Sequence, residues 1–245
     1  MRQKIRKTLL LVSFLLFPIT VWYFSPYLIV QAASEHIMNG SFIVFVRMFV
    51  FSTFFGRAWC GYLCPAGGLQ ECCIRIKDVP AKQGKRDKIK YVIWTVWIVS
   101  IVVTFILGKS DVTIDPLYMT DHGISVSGIY NYVIYYGVIM ILVIPSLIHG
   151  KRATCHYICW MAPFMVIGST VGRLLHIPQL HIKADKDKCI SCGRCSKVCP
   201  MGIDVKKMVS EGSNSRCNEC IECGACVDEC PKDVLEYGFK WRSSK

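Results

Sequence analysis

Four stretches of the chain are apolar over lengths that suit a membrane-spanning helix. They cover residues 8–30, 41–56, 89–108 and 129–148. A helix needs about 20 predominantly apolar residues to cross a bilayer, so the pattern predicts four spans, of which the second is short. A cleaved signal peptide is the alternative for the first stretch, but its apolar core would have only about 7–15 residues. We therefore expect a retained helix there, kinked or ended early by Pro18 and Pro26.

A fifth apolar stretch, 157–177, is interrupted by a proline, two glycines and an arginine. We interpret it as a re-entrant or interfacial helix and not as a fifth span. The remaining residues are polar and rich in cysteine. The chain is thus predicted to have a membrane domain over 1–178 and a second domain over 179–245.

Basic residues are concentrated on one side of the predicted spans. Loop 57–90 carries eight Lys and Arg against three acidic residues, whereas loop 109–127 carries one Lys against three Asp. By the positive-inside rule, the N-terminus, loop 57–90 and the region after residue 149 are cytoplasmic. The predicted location is the cytoplasmic membrane, with several spans, both termini inside and all fifteen cysteines on the reducing side.

The composition agrees with a membrane protein. Hydrophobic residues make up 53% of the 245 residues and charged residues only 19%, which is too apolar for a typical soluble protein of this size. The net charge of +12 is compatible with nucleic-acid binding, but the basic residues lie beside apolar spans and not along one soluble face. We expect the lipid bilayer as a partner, and no nucleic acid.

Two runs of cysteines near the C-terminus share the spacing C-x2-C-x2-C-x3-C-P. Two such runs are typical of a bacterial ferredoxin with two [4Fe–4S] clusters, in which the fourth cysteine of each run ligates the other cluster. The first predicted cluster is therefore bound by Cys189, Cys192, Cys195 and Cys230. The second is bound by Cys220, Cys223, Cys226 and Cys199. Cys217 is expected nearby, as a spare thiol or a competing ligand.

The alternatives to iron–sulfur clusters fit this spacing less well. A zinc ribbon has two separated C-x2-C pairs, and here three thiols follow in tandem twice. A disulfide framework needs an oxidising compartment, which the predicted cytoplasmic side does not offer.

An eight-residue block occurs twice in the chain, as RAWCGYLC at 57–64 and RATCHYIC at 152–159. Each block follows an apolar span, which predicts two repeated helix pairs related by an axis along the membrane normal. The C-x3-C cysteines of both blocks should then meet at the cytoplasmic face: Cys60, Cys64, Cys155 and Cys159. The i, i+4 spacing places each pair on one face of a helical turn.

Two interpretations of these four cysteines stay open. In the functional interpretation they form a shared metal or cluster site, or a thiol relay. In the packing interpretation they are buried free thiols that pack as small apolar groups. The occurrence of the block in both repeats favours the functional interpretation. Cys72 and Cys73 fit the packing interpretation better.

The motifs quoted above make the chain similar to the membrane-bound polyferredoxin family typified by NapH, NosR and CcoG. The resemblance covers nearly the whole chain and is strongest in WCGYLCPAGGLQE at 59–71, whereas Trp160 stands where the family has proline. The expected fold is a mainly α membrane protein, with a four-helix transmembrane bundle of two repeated helix pairs. A small cytoplasmic α+β domain of the two-cluster bacterial ferredoxin type follows it.

The resemblance implies electron transfer between a quinone pool, or a cytoplasmic donor, and a partner oxidoreductase or cytochrome. We expect a membrane-anchored carrier with two [4Fe–4S] clusters and a quinone as substrate. It is either a carrier without stand-alone enzyme activity or a quinol dehydrogenase component. The alternatives are an accessory, maturation or sensing protein for a redox enzyme, and a non-catalytic subunit of a larger redox complex. No haem is expected, because no span carries two histidines at ligand depth, and no flavin domain is recognisable.

Overall fold

The computed structural model describes residues 1–82, 84–108, 111–212 and 217–240. The last five residues of the predicted second domain lie outside the described residues. The helices are α1 Arg2–Leu15, α2 Phe17–Thr20, α3 Pro26–Ser34, α4 Gly40–Phe55, α5 Ala58–Tyr62, α6 Pro65–Ile74, α7 Ile89–Leu107, α8 Ile129–His149, α9 Ala153–Tyr157, α10 Met161–Leu174, α11 Arg194–Lys197, α12 Val205–Ser210 and α13 Ala225–Asp228. The strands are β1 Ile37–Asn39, β2 Thr113–Asp115, β3 Gln179–Ala184 and β4 Leu235–Lys240.

Two helices in the described ranges are long and apolar enough to cross a membrane. They are Arg86–Leu107, which consists of a 3-10 turn and α7, and α8. They agree with the predicted spans 89–108 and 129–148. The predicted span 41–56 forms α4, which has 16 residues. The protein is thus mostly helical with two candidate spans, and the four-helix bundle, like the domain boundary at 178, stays a prediction.

The first predicted span, 8–30, is not one continuous helix. The chain bends by 58° between α1 and the segment Phe17–Phe24, and α3 begins at Pro26. Proline disfavours helical geometry in the residue before it, and Ser25 has the extended φ and ψ of −78° and 120°. The predicted proline breaks therefore divide this stretch into three short helices and a 3-10 turn.

The last helix of each repeat packs against the other repeat. Helix α10 of the second repeat packs along α4 of the first, and α6 of the first repeat packs on α8 of the second. Two glycines allow the first contact, since a Cβ on Gly168 would lie 2.7 Å from the Phe49 carbonyl oxygen and one on Gly172 2.4 Å from that of Thr53. These pairings show that α10 packs along α4 and runs parallel to it. Whether 157–177 is re-entrant or interfacial stays a prediction.

The C-terminal domain has the elements expected for a small α+β ferredoxin. Strands β3 and β4 pair antiparallel, with Ile182 opposite Tyr237. Helices α11 and α13 each begin after a glycine in the left-handed region, Gly193 at φ 75° and Gly224 at φ 67°. A Cβ on Gly224 would also lie 2.2 Å from the Tyr237 hydroxyl, so a larger residue there would displace the strand that covers the second cysteine run.

Candidate iron–sulfur sites

The eight ferredoxin-type cysteines line two separate cavities. The first cavity, with an empty volume of about 390 Å³ including its open mouth, is lined among others by Cys189, Cys192, Cys195 and Cys230. The second, of about 560 Å³, is lined among others by Cys199, Cys217, Cys220, Cys223 and Cys226. The cavities therefore separate the cysteines into the two sets derived from the spacing, with the fourth cysteine of each run in the other run's cavity. Ligation of iron by these residues stays a prediction.

The chemistry of the cavities fits a cluster better than a single metal ion. Within the described ranges, no three His, Cys, Asp or Glu residues are close enough to hold one ion, and a cubane separates its ligands more widely than a mononuclear centre does. The second cavity has an apolar lining, and burial raises the pKa of Cys220 and Cys226 above the ordinary thiol value. Thiolates in such a place need a positively charged partner, which iron would supply.

The two C-x3-C pairs converge, as expected from the repeat. Burial raises the pKa of Cys64, and the neighbouring thiols Cys60, Cys155 and Cys159 raise it further. Cys60 Sγ lies 3.5 Å from Met165 Sδ, and the Gln70 side chain donates to Cys155 Sγ at 3.2 Å. Cys60 and Cys155 thus contact side chains of α10 and α6, respectively.

Their geometry corrects two expectations. Neither pair lies on one helical turn, because α5 ends at Tyr62 and α9 ends at Tyr157, before Cys64 and Cys159. Cys64 is extended at φ −73° and ψ 120°, as a residue before proline prefers. The two pairs also lie at different depths. Cys64 belongs to the buried cluster of Met48 and Trp97 from the middle of α4 and α7, and Cys159 packs against that cluster. These two thiols therefore lie deeper among the apolar helices than Cys60 and Cys155 do.

Cys60 and Cys155 lie one layer closer to the ferredoxin domain. Both belong to the buried cluster that contains Met201 and Cys223. A Cβ on Gly61 would lie 2.4 Å from the Ile221 carbonyl oxygen, so the motif's glycine lets the second cysteine run approach it.

The corresponding residue of the second repeat, His156, also contacts the ferredoxin domain. Its Nε2 hydrogen bonds the Met201 carbonyl oxygen at 2.9 Å. Met201 follows Cys199 and Pro200, so His156 contacts the other chain segment that lines the second cavity. Both C-x3-C blocks therefore adjoin the second cavity of the ferredoxin domain.

Two buried cations of the membrane domain bind one carboxylate of the ferredoxin domain. Arg57 donates to Glu219 at 3.1 Å and to the Asn218 carbonyl oxygen at 2.7 Å, and Lys90 forms a second ion pair with Glu219. Burial lowers the pKa of Arg57, but its electrostatic interactions with Cys60 and Glu219 outweigh burial and raise the pKa overall. Burial likewise raises the pKa of Glu219, and the two cations reverse the effect and lower it.

The equivalent arginine of the second repeat, Arg152, pairs with a carboxylate of the membrane domain and not of the ferredoxin domain. It is fully buried, donates to Glu71 at 2.8 Å and to the Cys60 carbonyl oxygen at 2.9 Å, and shares Glu71 with Arg6. Burial alone would raise the pKa of Glu71, but Arg152 and Arg6 lower it to about 2. This ion triplet fixes α1, α6 and α9 around the thiols.

Sequence reasoning missed the roles of several of these residues. Glu71 and Gly61 lie inside the stretch 59–71, where the sequence analysis assigns a role only to the cysteines. The arginine repeated at 57 and 152 was a signal in the sequence, because it indicates a buried positive charge next to the cysteines of each block. The partner Glu219 had no such signal, because its neighbour in space is 162 residues away in the chain.

Comparison with known proteins gives matches over both parts of the chain. The model of a family described as a 4Fe–4S dicluster domain matches residues 181–231. A second family model, described as a 4Fe–4S binding domain, matches twice, at residues 40–85 and 130–178. Each of these two segments contains one C-x3-C block, so the second model matches each repeat once.

Three curated relatives are similar over most of this chain. MJ0749, an uncharacterized protein of Methanocaldococcus jannaschii, is 24% identical over 67% of this chain and 59% of its own length. MJ0750, also uncharacterized and from the same organism, is 26% identical over 81% and 79%. YccM of Escherichia coli, a proposed electron transport protein, is 25% identical over 75% and 52%.

The chain therefore spans less than two thirds of MJ0749 and of YccM. No solved structure matches the chain. Both family models nevertheless describe 4Fe–4S binding, and together they cover the C-x3-C repeats and the C-terminal cysteine runs. These matches support a protein of the 4Fe–4S ferredoxin type.

Proposed function

We propose that the protein is a membrane-anchored iron–sulfur electron carrier. The proposal rests on one observation above all: the two C-x3-C blocks adjoin the second ferredoxin-type cavity, through the close approach of Gly61 to Ile221 and the hydrogen bond of His156 to Met201. The similarity to YccM, a proposed electron transport protein, supports the same function. When bound, [4Fe–4S] clusters exchange one electron each without proton chemistry.

The chain's own residues then have to position the redox groups and exclude water from them. The two ferredoxin cavities share lining residues and are therefore neighbours within one small domain. Cys60 and Cys155 lie next to the second cavity, and Cys64 and Cys159 lie one layer further away, among the apolar helices. Arg57 and Lys90 hold the ferredoxin domain through Glu219, in a setting where removing one partner of a buried pair costs about 3–5 kcal/mol. This pair of ion bridges would hold the ferredoxin cavities at a fixed distance from the C-x3-C thiols.

We assign the four C-x3-C cysteines to one functional site. Three of them are buried and Cys159 is half-buried, in two adjoining layers of the structure. Arg152 donates to the Cys60 carbonyl oxygen, and Arg57 interacts electrostatically with Cys60, Cys155 and Cys159. Positive charge beside buried thiols stabilises thiolates and any anionic cluster bound by them. The donor or acceptor on the membrane side is proposed to be a quinone of the bilayer, and the other partner an oxidoreductase or cytochrome, with the ferredoxin domain in the cytoplasm.

Replacing the thiols one by one tests this function. We expect Cys60→Ala and Cys155→Ala each to remove most of the electron transfer from quinol to the C-terminal clusters, while the EPR signals of those clusters remain. The double variant should lose little more than either single one, because the parts of one site act together.

The matched control is Cys72→Ala, because Cys72 is an exposed thiol of the same segment. It should transfer electrons at the wild-type rate. A double variant that also transfers at the wild-type rate would show that the C-x3-C thiols only pack, and the protein would then be a ferredoxin on a membrane anchor.

A further inference from the structure

A pocket lies at the end of the bundle opposite the ferredoxin domain. It is bounded by α3, β1, the start of α4 and the outer half of α7, and its empty volume including the mouth is about 390 Å³. Its lining is apolar apart from His36 and Asn39. Ligand pockets of small molecules have this character, an apolar wall with a few polar groups that set orientation.

His36 is the polar group of this pocket that is available to a ligand. Its side chain is 9% exposed, and both ring nitrogens are buried without a hydrogen-bond partner among the described residues. Asn39, in contrast, donates to the Leu28 carbonyl oxygen and accepts from the Phe42 backbone N–H, both at 2.9 Å. A buried imidazole without partners costs about 1–3 kcal/mol, so its position calls for a bound group.

The imidazole is also held in a defined orientation. Its ring stacks on Phe105 at a centroid distance of 4.7 Å and an angle of 12°. A Cβ on Gly108 would lie 2.2 Å from His36 Nε2, so the glycine leaves the space that the ring occupies. The backbone of His36 is left-handed at φ 57°, a conformation that costs energy in residues other than glycine.

The mouth of the pocket indicates the kind of ligand. Met38, Phe42 and Phe105 line the pocket and are each more than a third exposed, and they continue the apolar outer surface of α4 and α7. A ligand that enters here comes from the lipid phase and carries a group that hydrogen bonds an imidazole. We infer that the pocket binds the head group of an isoprenoid quinone or quinol, with His36 as its hydrogen-bond partner.

This site rests on the proposed function and completes it geometrically. Ile29 and Ile101 line the pocket and also pack in the apolar cluster that contains Cys64 and Cys159. The quinone would thus lie one layer of side chains from the deeper pair of thiols. An imidazole N–H donates to a quinone carbonyl, and the unprotonated nitrogen accepts from a quinol hydroxyl, so the same residue serves both redox states.

Binding is tested on the full chain in lipid nanodiscs, with its clusters oxidised. The probes are an oxidised ubiquinone with one isoprene unit and menadione, so that no electron transfer contributes to the heat measured by calorimetry. We expect His36→Leu to weaken binding of at least one probe about tenfold, the effect of one buried hydrogen bond. His36→Gln should retain part of the affinity, and Gly108→Ala should lose it because the ring is displaced into the pocket.

The control variant is His122→Leu, which replaces a histidine that is 97% exposed in the loop on the same side of the membrane. It should bind like the wild type. Without ligand, His36→Leu should raise the melting temperature, because it removes an unsatisfied buried polar group. A lowered melting temperature would indicate a structural histidine and contradict the site.

The outcomes separate the site from the proposed function. If quinol reduces the clusters equally well in wild type and His36→Leu, the site is wrong while the function stands. If binding depends on His36 but quinol never reduces the clusters, the site stands and the function is wrong. If neither probe binds the wild type, or if both bind His36→Leu as tightly as the wild type, the site is refuted.

Discussion

Replacing Glu71 by glutamine should destabilise the membrane domain by about 3 kcal/mol. Glu71 is the shared carboxylate of Arg6 and Arg152, whose side chains are 1% and 0% exposed. Two independent considerations give the magnitude. Its pKa falls from 4.5 to about 2, which at 1.36 kcal/mol per unit is about 3 kcal/mol. Removing one partner of a buried ion pair costs about 3–5 kcal/mol, because the other charge stays buried.

Thermal unfolding in detergent at pH 7.5, followed by circular dichroism, measures the effect. For a chain of this size about 3 kcal/mol corresponds to a melting temperature lower by roughly 6–12 °C. The matched control is Glu211→Gln, because Glu211 pairs with Lys207 at 3.8 Å and both side chains are more than half exposed, and exposed pairs contribute about 1 kcal/mol or less. Equal shifts in both variants would refute the view that Glu71 neutralises two buried arginines.

The same carboxylate predicts a pH dependence with a definite sign. A carboxyl group whose pKa is lowered in the folded state stabilises the fold fully above its unfolded pKa, near 4.5. This stability is lost as the pH falls from about 4.5 towards 2, and Glu71→Gln should lack that part of the acid transition. An acid transition that is identical in the two proteins would contradict the assigned pKa.

Three further outcomes are expected. A chain in which all four C-x3-C cysteines are alanine should contain about eight iron and eight sulfide if its ferredoxin runs bind two clusters, and chemical analysis showing four of each would contradict that count. A topology reporter should be active in the cytoplasm when fused after Lys245 and outside when inserted near Asp121, and the reverse pattern would contradict the orientation derived from loop charge. Gly168→Ala should lower the melting temperature because its Cβ would meet the Phe49 carbonyl oxygen at 2.7 Å, whereas Gly137→Ala, with open space around it, should not.

The sequence predicts the parts of this fold that depend on local pattern. Uninterrupted apolar length predicts α7 and α8, and cysteine spacing predicts the two sets of thiols that line the cavities. The breaks at Pro18 and Pro26 are equally local, because proline restricts its own backbone and that of its neighbour.

The packing of α6 and α10 each against the other repeat was not predictable in the same way. It depends on glycines that permit close contact between helices far apart in the sequence, such as Gly168 on Phe49. The i, i+4 rule also assumes an unbroken helix, and Pro65 ends that assumption at Cys64. As a result, the depth of Cys64 and Cys159 among the apolar helices follows only from the packing of four separate helices.

The two arginines of the repeat show how the ferredoxin domain breaks the symmetry of the membrane domain. Arg152 finds its carboxylate within the membrane domain, in Glu71 of the first repeat. The position equivalent to Glu71 in the second repeat, seven residues after Cys159, is Val166, so Arg57 has no carboxylate there. Glu219 supplies it from the ferredoxin domain. Because a buried guanidinium needs a counter-charge, the membrane domain is incomplete without the ferredoxin domain, and the second cysteine run is thereby held against the C-x3-C thiols.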